Sequence, residues 1–166
     1  GAKLMRRGIA ANPDNWRLAY EAGVFEADFL GDYAAASKTL LRASTIPGSG
    51  PWLKSVAAVL LQKGGDRATS RAVWREIYVN SREEFMKRSA ERRLKNLDSL
   101  DRRDRVVEAL AAYKNAFREY PPTLQDLKRA GFKVEILDLA DVPFVYDSKS
   151  GSVSLSKTSP VYQVVR

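Results

Sequence analysis

Five side chains have the types and the spacing to bind a carboxylate. Tyr20, Lys54 and Arg88 follow one another at intervals of 34 residues, and Arg17 and Arg92 lie within about one helical turn of the two ends of that series. Arg88, Arg92 and Lys95 recur at i, i+4 and i+7, so one helix would carry them along a single stripe. A guanidinium offers a planar fork of N–H donors, an ammonium offers a point charge, and a phenol both donates and accepts. Together they suit an acidic peptide or a free C-terminal carboxylate. The same residues also fit a plainer pattern. Glu84 precedes Arg88 by four and Glu91 precedes Lys95 by four. Such pairs are often solvated salt bridges worth about 0.3–0.5 kcal/mol each.

Other chemistry is narrowed by what the chain lacks. Its 166 residues include no cysteine and no histidine. That excludes disulfides, thiolate metal sites and cysteine nucleophiles, and it removes the commonest general acid–base and metal ligand. Neither "GSGPW" nor "KGGDR" has the spacing of a phosphate-binding loop. Asp138, Asp141 and Asp147 could supply oxygen ligands to calcium, but aspartate is equally a turn residue and the spacing matches no calcium loop. The expectation is a protein that is not an enzyme, with no cofactor and no metal.

The formal net charge of +8 favours acidic partners. Nucleic acid or an anionic surface is the alternative to an acidic peptide. The most charge-dense stretch, "SAERRLKNLDSLDRRDR", argues against nucleic acid, because acids are interleaved throughout and no aromatic residue stands between Phe85 and Tyr113 to stack on a base. No apolar run approaches the roughly 18 residues of a membrane span.

The elements that must position these residues read mainly as helices. "GDYAAASKTLLRA" (31–43) aligns with "GDRATSRAVWREI" (65–77) at an offset of 34. Ala36 falls on Ser70, Leu40 on Trp74, Ala43 on Ile77, Gly23 on Ala57 and Pro13 on Pro47. Small residues repeated on helices let neighbouring helices approach closely, and the large residues then fill the gaps around them. Helices are predicted over 15–28, 33–45, 52–63, 67–79, 82–97 and 102–119. A capping box at Ser81 and Glu84 opens the fifth of these, and a turn at "DSLD" (98–101) separates it from the sixth. Leu53, Val56, Ala57, Leu60 and Leu61 form a clear apolar stripe. Trp74 fills a core slot, and Trp52 packs on the preceding unit.

The 34-residue period, the small-on-small pairing and the closing prolines of "NPDNW" and "TIPGSGPW" resemble the tetratricopeptide repeat. The likeness covers about residues 13–79. It implies antiparallel helix hairpins stacked into a superhelix, with the first helix of each unit lining a groove. On that reading Arg17, Tyr20, Lys54, Arg88 and Arg92 face a protein or peptide partner. The turn "DFLGD" is one residue longer than the family norm, and Ile77 stands where the family has alanine. Residues 3–11 read as the second helix of a preceding unit, and Gly1-Ala2 as a cloning remnant.

From Pro121 the period falls towards two. A short helix with Thr123 as N-cap and Gly131 as its stop is followed by alternation in "FKVEIL" and by a hairpin. In the hairpin Phe144 and Tyr146 precede a turn at 148–151, and Val153 and Leu155 follow it. "VYQVV" reads as a further strand or an extended tail. The division is thus a repeat region over 1–120 and an α+β cap over 121–166. The segment with Tyr120-Pro121, Leu124, Leu127, Gly131, Tyr146 and Gly151 resembles the C-terminal portion of type II secretion pseudopilins, although Val142 interrupts their Asp-Pro pair and their apolar N-terminal helix is absent. That likeness implies a bacterial envelope or periplasmic setting. A generic hairpin closing the helical core, and a cytoplasmic setting, remain the other reading.

Overall fold

Asp32 and Asp66 end two inter-helix turns in the same way. Each has φ near −85° and ψ near 75°, and each carboxylate accepts the backbone N–H three residues on, from Ala35 and Thr69, at 2.9 Å. The preceding glycines, Gly31 and Gly65, have φ of 65° and 90°, a region that side chains with a Cβ avoid. A Gly-Asp pair thus reverses the chain and caps the next helix, once per 34 residues.

The computed structural model describes residues 2–162. Its helices are α1 (Ala2–Ala11), α2 (Trp16–Asp28), α3 (Tyr33–Ala43), α4 (Trp52–Lys63), α5 (Arg67–Asn80), α6 (Glu84–Phe117) and α7 (Leu124–Arg129). A two-stranded antiparallel hairpin follows, β1 (Val145–Asp147) and β2 (Ser152–Ser154). The fold among the described residues is therefore a mainly helical bundle with a small C-terminal hairpin. No helix among them is long and apolar enough to cross a membrane.

The chain divides into two compact units between Ala90 and Glu91. In the first, each of α1 to α4 packs on the helix that follows it. The aligned small and large residues all end up buried: Gly23 and Ala57, Ala36 and Ser70, Leu40 and Trp74, Ala43 and Ile77. A Cβ built on Gly23 would lie 2.8 Å from Leu40 Cδ2 and 3.4 Å from the Ala36 carbonyl. Gly23 and Ala36 therefore meet at a close α2–α3 crossing. At the equivalent place in α5, the buried Ser70 hydroxyl donates to the Ala58 carbonyl at 2.7 Å. The reversal between α2 and α3 holds four residues and that between α4 and α5 three. The Asp32 N–H accordingly reaches back six residues, to the Glu26 carbonyl, and the Asp66 N–H five, to Leu61. This is the extra residue read in "DFLGD".

In the second unit, Val106, Ala109 and Leu110 of α6 bury against Leu124 and Leu127 of α7 and against Ile136, Phe144, Leu155 and Val161. Thr123 and Asp126 form the capping box of α7, the carboxylate accepting both the backbone N–H and the hydroxyl of Thr123. The hairpin pairs Tyr146 with Val153 across its two strands and turns through 148–151 as expected. Tyr146 donates its hydroxyl to the Pro121 carbonyl at 2.8 Å, tying the hairpin to the Pro-Pro turn.

Three local expectations need correction. The turn at 98–101 does not exist: α6 runs unbroken for 34 residues. "DSLD" contains neither glycine nor proline, so nothing in the backbone stops the helix. Ser99, which looked like a turn residue, is buried in the helix; it donates to the Lys95 carbonyl at 2.7 Å and accepts the Leu139 N–H at 3.0 Å. The helix also begins at Glu84, not 82, because Ser81 accepts the Glu83 N–H in a local turn and forms no capping box with Glu84. Finally, the alternation in "FKVEIL" does not make a strand; only an isolated bridge joins Leu137 to Pro143. Most of "VYQVV" lies outside the described residues, and its Val161 is a buried turn residue.

Candidate partner-docking site

The loop before α4 sets the site. Gly48, with φ of 80°, turns the chain after Pro47, and Pro51 stands immediately before α4 with the φ of −62° that a proline ring favours. Trp52 then stands edge-on to Tyr20 at 5.1 Å between ring centroids and edge-on to Trp16 at 6.3 Å. Such edge-to-face pairs contribute about 0.5–1.5 kcal/mol beyond the area they bury. The Arg17 guanidinium lies 5.4 Å from the Trp16 ring centroid. Trp52 thus packs on the preceding helix pair, yet 37% of it remains exposed.

Two residues further along α4, Lys54 pairs with Glu76 of α5. Both line a cavity of about 310 Å³ that also takes in Ser49, Ile77, Ser81 and Met86. Met86, from the first turn of α6, supplies its buried apolar wall together with Ile77. Ser49 and Ser81 add hydroxyls that both donate and accept.

The five expected contact residues therefore meet different fates. Tyr20 joins the aromatic group that Trp52 completes. Lys54 sits in the cavity, held by a carboxylate. Arg17 lies on the face of Trp16. Arg88 is exposed on α6 and stands 4.0 Å from Glu84, a loose i,i+4 pair. Arg92 is exposed and belongs to the second unit. Lys95 pairs with Glu91 at 2.9 Å in the same solvated style. For the α6 stripe the plain salt-bridge pattern is thus present, and it holds these cations only weakly.

Glu76 was missed, though a signal existed. Lys54 and Glu76 are nearly equidistant from the Gly64-Gly65 reversal, so an antiparallel hairpin folded there must bring them side by side. Met86 and Ser81 had no comparable signal, because their place depends on how α6 leaves α5.

Two of the three aspartates, Asp138 and Asp147, hold local turns through their carboxylates. Asp138 is buried and accepts the N–H groups of Ala140 and Val142 at 2.8 and 3.0 Å, and the Ser159 hydroxyl. Asp147 accepts the Ser150 hydroxyl at 2.6 Å and the Lys149 N–H at 3.0 Å. These bonds, that from the Ser150 hydroxyl foremost, hold its pKa below the ordinary carboxylate value. Asp141 is exposed, in a left-handed turn conformation with φ of 58°. Among the described residues no cluster of three acids is arranged to hold a metal ion.

Compared with known protein families, with characterised proteins and with solved structures, the chain finds no match.

Proposed function

We propose that the first unit is a non-catalytic docking module that binds an acidic segment of a protein partner. In this reading α2–α3 and α4–α5 are tetratricopeptide-like hairpins, and the partner lies against the first helix of each pair. The observation that carries the reading is the Lys54–Glu76 pair in its cavity, two residues from the partly exposed Trp52. An ammonium has three N–H donors and Glu76 takes one. An incoming carboxylate can share the cation or displace Glu76, while Trp52 and Tyr20 offer an apolar wall for a neighbouring side chain. Arg17 and Arg88 then act as outlying cations that speed encounter more than they tighten binding. The likeness of the C-terminal segment to pseudopilins extends the proposal to an envelope or secretion-linked assembly.

The test uses a defined probe, a short peptide rich in Asp and Glu with a free C-terminus, followed by calorimetry and by the chain's tryptophan fluorescence. Lys54→Glu combined with Arg88→Glu abolishes binding and leaves the helical circular dichroism unchanged. Glu76→Gln, which frees Lys54, tightens binding roughly two- to fivefold, the range expected for releasing a partly exposed ion pair. Undiminished binding by the double variant rejects the site. Equal binding of duplex DNA, lost steeply with added salt, would point to the phosphate-driven alternative.

A further inference from the structure

The second unit contains a cavity of about 410 Å³ whose walls are basic. Arg102, Arg105, Lys128 and Lys133 line it against a single carboxylate, Glu135. These cations come from three places in the chain, so no one helix periodicity explains their meeting. Arg102 and Arg105 are three apart on α6 and share a face. Lys128 is in the last turn of α7, and Lys133 follows the reversal after it.

That reversal is a built feature. Gly131 has φ of 90°; its N–H bonds the Lys128 carbonyl at 3.0 Å, and the Phe132 N–H bonds the Leu127 carbonyl at 3.0 Å. This double bonding is a Schellman motif, which ends the helix and folds the chain back on it. Phe132 and Val134 then pack on the second core, Phe132 lying 6.2 Å from Tyr113 between ring centroids. They give the cavity a fixed apolar floor. Arg102 is steadied by the Leu137 carbonyl, to which its Nη1 donates at 3.5 Å. Arg105, Lys128 and Lys133 remain exposed.

We propose that this cavity binds a small phosphate-bearing anion with linked phosphoryl groups. Four cations against one carboxylate leave a surplus that a lone carboxylate ligand does not answer. One phosphate group carries about −1.5 to −2 at pH 7, and two linked phosphoryl groups match the surplus. The two guanidiniums provide forked donors for phosphate oxygens, and the two ammoniums provide point charges. The site is separate from the docking reading of the first unit and does not depend on it.

Calorimetric titration of the whole chain with inorganic pyrophosphate, at physiological ionic strength, tests the proposal. The unaltered chain binds at one site. Arg105→Ala combined with Lys133→Ala weakens binding by about tenfold or more, the loss expected for two charge-assisted contacts at a partly exposed site. Arg82→Ala combined with Arg75→Ala removes the same charge from exposed positions that do not line the cavity, and changes binding less than about twofold. Equal weakening by both double variants would mean diffuse attraction and overturn the site. So would absence of binding to the unaltered chain, or citrate binding as tightly as pyrophosphate. Circular dichroism confirms that both variants fold; the altered side chains are exposed and lie outside the core.

Discussion

Gly23→Ala is the sharpest probe of the close helix crossing in the first unit. On an open helix face the change stabilises by about 0.8–1 kcal/mol, because alanine is the better helix former. Here the added methyl would sit 2.8 Å from Leu40 Cδ2 and 2.9 Å from Leu40 Cγ, both closer than carbon atoms tolerate. Leu40 is fully buried at 0% exposure, so it has no free space to retreat into. Overpacking of this kind costs about 1–3 kcal/mol. Subtracting the helix gain leaves a net destabilisation of about 0–2 kcal/mol, with about 1 kcal/mol as the central expectation. The size alone is modest, so the double-variant cycle carries the weight. Leu40→Ala by itself costs about 2–5 kcal/mol through its cavity. In the double variant the new methyl has room, and the two effects fall short of their sum by about 1 kcal/mol or more. All three tryptophans lie in the first unit, so urea unfolding followed by tryptophan fluorescence reads this unit directly. If Gly23→Ala stabilises by the full helix increment and adds simply to Leu40→Ala, the tight α2–α3 contact is wrong, and the hairpin stacking inferred from it fails.

Two further perturbations address separate features. Leu100→Pro should destabilise by about 3 kcal/mol more than Leu100→Ala, because proline breaks a continuous helix; near-equal thermal unfolding of the two would restore the turn at 98–101. The pKa of Asp66 is held below its ordinary value, chiefly by the Thr69 backbone N–H and then by the Thr69 hydroxyl. Its stabilising effect is therefore complete above the unfolded value near 3.8 and is lost as pH falls through the lower folded value. Asp66→Asn should keep the cap but flatten that part of the acid-unfolding curve, and an unchanged curve would show that the carboxylate is not the cap.

The period was legible because it is written twice in residues with strong physical meaning. Gly31-Asp32 and Gly65-Asp66 each combine a left-handed turn with a helix cap, and few other residue pairs can do both. Small residues at Gly23, Ala36, Ala57 and Ser70 declared the close approaches before any coordinates did. The third pair had no such marks. Between Ser81 and Pro121 the sequence has no glycine or proline, and the expected break at 98–101 rested on polar residues alone. A buried serine that bonds its own helix and a distant loop looks, in sequence, like a turn serine. The extended run at 132–136 failed for a related reason. Its apolar residues alternate because Val134 and Ile136 point into the second core, and that needs no strand partner.

The distribution of charge is where sequence and structure part most usefully. A net charge of +8 suggests cations available all along the expected groove. Yet Lys54 is paired with Glu76, Arg88 stands near Glu84, and Lys95 meets Glu91. Each pair is partly exposed and therefore weak, so a competing carboxylate can exchange with the resident one at little cost. The docking surface proposed for the first unit would thus offer replaceable pairs more than free cations. Around Gly131 the arrangement is different: two arginines from one face of α6 and two lysines flanking a helix stop share one carboxylate. Selectivity should follow the same division. Exchange at Lys54 favours carboxylates that bring an apolar neighbour for Trp52, whereas the surplus at the Gly131 reversal favours charge density. A ligand that bound both places equally well would contradict this account of how the charge is arranged.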